Sequence, residues 1–131
     1  MNRSGVLSPA QQESILTALT YLRPAAIYLF GSAVTGNFRA DSDLDLAVLP
    51  QIAIDPETIF SASQVLADQL GREVDIVDLT TASTVMGKEV IRTGILLADH
   101  LPSLRHDFEM RTLSDYARLN EERQPVLSAV R

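Results

Sequence analysis

The chain has no cysteine and no tryptophan, and its 11 lysines and arginines are outnumbered by 17 aspartates and glutamates, for a net charge of −6 at pH 7. The absence of cysteine excludes disulfides, thiolate metal centres and a cysteine nucleophile, and it fits a reducing compartment. The shortage of cations argues against direct binding of nucleic acid, because gripping a phosphate backbone needs a basic surface. An acidic chain more naturally meets a basic partner or a cation–nucleotide complex. Aromatic residues make up only 5%, so the core is expected to consist of Leu, Ile, Val and Ala. No apolar run approaches the roughly 20 residues of a membrane span. The stretch from Met1 to Leu7 lacks the apolar core of a secretory signal. The expectation is a cytoplasmic protein with no membrane contact.

At 131 residues, 46% of them hydrophobic and 21% charged, the chain suits a single domain, 1–131, able to bury a core without disulfides. There is no internal repeat, low-complexity tract or long linker to divide it. Ser8-Pro9 is a helix start, with Ser8 as N-cap and Pro9 in the first turn. Ile15, Leu16, Leu19 and Leu22 give that helix its apolar stripe, and Pro24 stops it. Strands are expected at about 25–30, 43–49, 72–78 and 95–98. A short helix is expected at 32–36, and longer ones from Pro56 to Gly71 and from Thr81 to Arg92. In the helix from Pro56, the residues Ile59, Phe60, Ser63, Leu66, Ala67 and Leu70 form the inward side. A long amphipathic helix should occupy about 102–122, ended or kinked by Pro125. The fold class is therefore α/β or α+β, a small mixed β-sheet with flanking helices.

One stretch carries the chemistry. The apolar run Ala25-Ala26-Ile27-Tyr28-Leu29-Phe30 reads as a buried strand, and it is followed at once by Gly31-Ser32. A glycine-containing turn at a strand end can present backbone N–H groups to a phosphate. Ten residues later comes Asp43-Leu44-Asp45. On a strand, residues i and i+2 share a face, so both carboxylates point the same way, while Leu44, Leu46 and Val48 point into the core. Like charges this close call for a compensating cation. In Glu73-Val74-Asp75-Ile76-Val77-Asp78 the same alternation sets Asp75 opposite Val74 and Ile76. If the two strands are neighbours, Asp75 joins Asp43 and Asp45 on the open face. Three carboxylates there would make a hard-oxygen site suited to Mg²⁺, which typically takes one or two carboxylates plus water and substrate phosphates.

Phe30-Gly31-Ser32, the ten-residue spacing and Ser42-Asp43-Leu44-Asp45-Leu46 closely resemble the signature of the nucleotidyltransferase superfamily, and within it the minimal nucleotidyltransferases. The resemblance extends over most of the chain, through Val74-Asp75-Ile76-Val77-Asp78-Leu79, Ile91-Arg92-Thr93-Gly94 and the C-terminal helix with Phe108 and Tyr116. It implies the DNA polymerase β-like nucleotidyltransferase fold. Many such proteins are antitoxins encoded beside a HEPN-domain ribonuclease toxin, so the resemblance also implies transfer of AMP from ATP to a tyrosine hydroxyl of that toxin, and a hetero-oligomer with it. Carried over by position, Gly31 would let the backbone approach the triphosphate and Ser32 would hydrogen-bond a phosphate oxygen. Asp43 and Asp45 would hold the metal, two Mg²⁺ ions in all, and Asp75 would complete that site and help deprotonate the acceptor. Some relatives carry a basic residue directly after Gly-Ser. Here Ala33, Val34 and Thr35 follow, leaving Arg39 as the only cation inside the motif loop and the candidate phosphate contact. With no second domain to close over substrate, the acceptor protein would help to build the site.

Other residues read more plainly. Ser32 can cap the short helix as well as meet a phosphate. His100 and His106 are expected at the surface, Tyr28 in packing, and Tyr116 on a helix face. Two other readings of the chain are a non-catalytic antitoxin that neutralises a toxin by covering it through the C-terminal helix, and a nucleotidyltransferase acting on a small molecule of the aminoglycoside type.

Overall fold

The computed structural model describes residues 7–36, 39 and 42–130, with residues 123–130 described by backbone alone. The first helix, α1 (Pro9–Leu19), is closed by a capping box. Ser8 Oγ accepts from the Gln11 N–H at 3.1 Å, and Gln11 Oε1 accepts from the Ser8 N–H at 2.8 Å. A 3₁₀ turn over Thr20–Leu22 leads to Arg23, whose φ of 52° is left-handed. The residue before a proline avoids the right-handed helical region, so Arg23 redirects the chain and Pro24 opens β1 (Pro24–Phe30), buried along its whole length. Then follow the short α2 (Ser32–Thr35), β2 (Leu44–Pro50), α3 (Pro56–Leu70), β3 (Val74–Asp78), α4 (Thr84–Thr93), β4 (Ile95–Asp99) and α5 (Pro102–Val130).

The sheet has the order β3-β2-β1-β4. β1 is antiparallel to β2 and to β4, while β2 and β3 are parallel, with α3 as the crossover between them. The sheet is therefore mixed, with helices on both faces. On one face Ile27, Leu29, Leu44, Leu46 and Val48 pack with Ile15 and Leu19 of α1 and Ala62 and Leu66 of α3. On the other, Ala26, Tyr28, Phe30, Ala47 and Leu49 pack with Leu79, Val90 of α4 and Phe108 of α5. The acid-bearing face of β2 is thus not open throughout, as the sequence suggested. It is covered along Ala47 and Leu49, and it is accessible at the Asp45 end.

α5 is pinned to the sheet by a polar chain. The Tyr28 hydroxyl, buried in β1, donates to Glu109 Oε2 at 2.6 Å. Glu109 Oε1 accepts from Arg105 Nη1 at 3.0 Å, and Arg105 also grips Asp99 with both Nε and Nη2, at 2.9 and 3.0 Å. Burial, and then the Glu109 carboxylate, hold the Tyr28 phenol well above its ordinary range. Tyr28 therefore does more than pack.

Several expected features differ, and β3 begins at Val74 rather than at Arg72. Thr81 does not start α4. Asp78 Oδ1 accepts from the Thr80 N–H and hydroxyl at 2.9 and 2.7 Å, holding a turn until Ser83 caps the helix through the Met86 N–H. Phe60, expected on the inner side of α3, is 65% exposed. α5 continues through Pro125 to Val130 instead of ending near 122, although an interior proline gives up its own N–H bond and crowds the carbonyl one turn back. No described helix is long and apolar enough to cross a membrane.

Candidate active site

The site is built where β1 ends. Gly31 has φ 75° and ψ −146°, a conformation essentially restricted to glycine. It turns the chain straight into α2, and its carbonyl accepts from the N–H groups of Val34 and Thr35 at 3.0 and 3.2 Å. Gly31 itself is the N-cap of α2, with no side-chain cap bond. The expectation that Ser32 caps this helix is therefore corrected. Ser32 is the first helical residue, half-buried.

Pairing then delivers the acids. Phe30 pairs with Asp45 across β1 and β2, which sets Asp45 beside the Gly31 turn. The contact is close enough that a Cβ on Gly31 would overlap Asp45 Oδ2. On the other side of β2, Asp45 pairs with Asp75 of β3, so the condition of neighbouring strands in matching phase holds. Asp43 stands just before the first residue of β2 and is exposed, as is Asp75, whereas Asp45 is half-buried. The Asp45 carboxyl is pushed above the usual carboxylate range, first by burial and then by the charges of Asp75 and Asp43.

These acids do not stand as a finished cage, since among the described residues no three His, Asp or Glu side chains are gathered closely enough to hold a metal ion. The donor set nevertheless fits Mg²⁺. It is all oxygen, part-solvated, and contains one carboxylate whose ionisation is opposed by two others, so a divalent cation would relieve that repulsion. Asp75 and Asp43 lie near enough to add to the effect of burial on Asp45, yet among the described residues the acids are not gathered into a closed cage. Both hold if the acids are neighbours that a cation and its waters would draw together.

The loop between Gly31-Ser32 and Asp43 is tied at its end. The Arg39 N–H donates to Ser42 Oγ at 2.8 Å, and the Ser42 N–H donates to the Arg39 carbonyl at 3.0 Å. Arg39 keeps its side chain exposed. Arg72 was not singled out in the sequence, yet its Nη1 donates to the carbonyls of both Arg39 and Ser42, at 3.3 and 3.2 Å. The signal available for it was a cation one residue beyond a helix-stopping glycine and two before an acid-bearing strand. His100 and His106 are exposed. Tyr116 is half-buried, with Lys88 Nζ 4.6 Å from its ring centroid. A groove of about 540 Å³ lies at the far end of β2, between the turn before α4 and α5, lined by Leu49, Leu79, Ser83, Phe108 and Arg111 among others, and it includes none of the three acids.

Known proteins match this chain. The family described as polymerase beta, nucleotidyltransferase matches residues 13–101. The protein adenylyltransferase MntA of Shewanella oneidensis is 37% identical over 107 residues, covering 79% of this chain and 74% of that protein. A crystal structure of a toxin–antitoxin with AMP-PNP contains a chain that superposes with a TM-score of 0.81 at 34% identity, over 91% of this chain and 97% of that one. A structure of tri-AMPylated Shewanella oneidensis HEPN toxin in complex with MNT antitoxin matches with a TM-score of 0.76 at 32% identity, over 92% of this chain and 96% of the other.

Proposed function

This chain belongs to the polymerase beta nucleotidyltransferase family, and from that premise we propose that it is an antitoxin that transfers AMP from ATP to a tyrosine hydroxyl of a HEPN-domain toxin. The observation that carries the reading is Asp45. It is wedged against the Gly31 turn and in register with Asp75, so a phosphate-facing turn and the acids meet at one point. The likeness to adenylyltransferases of the same domain, and to antitoxin chains solved with an ATP analogue or an AMPylated toxin, supports the choice of reaction.

On this reading the chain acts as one catalytic domain. Gly31, lacking a side chain, leaves room for Asp45 and lets the turn's backbone N–H groups face the triphosphate. The Ser32 hydroxyl donates to a phosphate oxygen, and Arg39, exposed in the motif loop, reaches the same phosphates. Asp43 and Asp45, with Asp75 beside them, would hold Mg²⁺, two ions in the full site. When bound, Mg²⁺ supplies charge neutralisation at the triphosphate and at the leaving group. Asp75 takes the proton of the acceptor tyrosine hydroxyl. The hydroxyl oxygen bonds to the α-phosphorus as the bond to the bridging oxygen breaks, and pyrophosphate leaves. Catalysis of this kind is mostly positioning and electrostatics, so the acids carry more of it than a tuned base would. The exposed Asp43 and Asp75 leave one side of the site for the toxin to cover, which suits a protein acceptor.

The test is incubation of this protein with HEPN toxin, Mg²⁺ and ATP labelled at the α-phosphate. Label should move to toxin tyrosine with the wild type and not with Asp43→Asn. Equal protection of cells by wild type and Asp43→Asn, with no label on the toxin, would assign neutralisation to binding alone.

A further inference from the structure

We propose that Arg72 is a positioning residue for the acid site, holding the loop that delivers Asp43 by bridging two of that loop's carbonyls. The inference rests on the reading of Asp43 as a ligand of the metal–nucleotide complex.

The argument begins with the anchor. Arg72 directly follows the end of α3, where the N–H groups of Gly71 and Arg72 both donate to the Ala67 carbonyl, at 2.9 and 3.3 Å. The next residue, Glu73, accepts the Leu44 N–H at 2.9 Å, at the first residue of β2. Arg72 is therefore rooted in a backbone fixed on both sides. From that root Nη1 reaches the carbonyls of Arg39 and Ser42, which are themselves brought together by the reciprocal Arg39–Ser42 bonds. A guanidinium donating to carbonyls makes charge-assisted bonds, stronger than neutral ones.

The consequence falls on Asp43. It is the single residue between Ser42, held by the Arg72 side chain, and Leu44, held by the Glu73 carbonyl. Both holds come from the two residues that lead into β3, the strand that carries Asp75. One short segment, Arg72-Glu73-Val74-Asp75, thus supplies one acid and fixes the backbone on both sides of another. Ligand-supporting contacts of this kind typically change metal affinity or activity by about 10–100-fold when removed.

The experiment uses the full chain with HEPN toxin, ATP and Mg²⁺, and compares wild type, Arg72→Met and Arg72→Lys. For Arg72→Met, the half-saturating Mg²⁺ concentration should rise, or kcat fall, by about 10–100-fold, with KM for the toxin unchanged. Arg72→Lys should recover most of the loss, since an ammonium can still donate to both carbonyls. Amide hydrogen exchange of the toxin-free protein should speed up at residues 42–44 in Arg72→Met and stay unchanged in β1. Unchanged Mg²⁺ dependence together with unchanged kcat, or lost activity without faster exchange at 42–44, would overturn the positioning role. Faster exchange at 42–44 in Arg72→Met, with no AMP transfer by the wild type, would uphold the loop clamp and contradict the enzymatic reading instead.

Discussion

Gly31 and Asp45 share one small volume, because the space a Gly31 side chain would fill is taken by the Asp45 carboxylate. The turn proposed to face the phosphates and the acid proposed to hold the metal are thereby a single packed unit. Neither can change without the other.

Gly31→Ala should therefore fail twice. At φ 75° and ψ −146° the backbone strain alone is about 1–3 kcal/mol, and the new methyl displaces Asp45. Thermal unfolding should drop by about 5–10 °C, with AMP transfer lost even at temperatures where the variant is folded. Gly36→Ala is the control. Gly36 also has a positive φ, 91°, but a Cβ there meets nothing within 4 Å. It should lose about 1–2 kcal/mol of stability and keep its activity.

Asp45→Asn should stabilise the metal-free protein while removing activity. The Asp45 carboxyl is raised by burial and by its acidic neighbours. Its contribution to stability is therefore full below the ordinary carboxylate range and is lost as pH rises through the raised value. At neutral pH the wild type carries an opposed charge that asparagine lacks. Because the site is part-solvated and screened, the gain should be small, about 1–2 °C in Tm at pH 7. It should shrink in acid. Mg²⁺ with a non-hydrolysable ATP analogue should raise the wild-type Tm, since it binds only the folded state, and raise the variant's much less.

Tyr28→Phe separates fold from chemistry. It removes the 2.6 Å bond to Glu109 and leaves that carboxylate with Arg105 alone. A hydrogen bond to a charged group contributes about 1.5–3 kcal/mol, so Tm should fall by about 5–10 °C. AMP transfer measured below the transition should be unchanged, since none of the bonds in this chain of side chains reaches the three acids.

The sequence carried the site's phase more clearly than its spacing. Strict alternation placed Asp45 and Asp75 opposite the core residues Leu46 and Ile76, and their pairing in β2 and β3 bears that out, because period-two geometry is fixed by the backbone. The closeness of Gly31 to Asp45 was not legible, since it depends on the Phe30–Asp45 register across two strands. Nor was the cover over Ala47 and Leu49, which comes from α4 and α5, far along the chain. Phe60 misled because helical periodicity ranks residues by hydrophobicity, and a phenylalanine at the edge of the stripe can face solvent. Arg72 escaped notice because its bonds to the motif loop go to backbone carbonyls, and a carbonyl has no letter in a sequence.

The measurement that bears most directly on the account is the intact mass of a HEPN toxin after co-expression with this protein. Wild type should add mass to the toxin in whole units of AMP, located on tyrosine by fragmentation, while Asp45→Asn should leave the toxin unmodified. A toxin of unchanged mass, recovered in a stable and neutralised complex with the wild-type protein, would contradict the account.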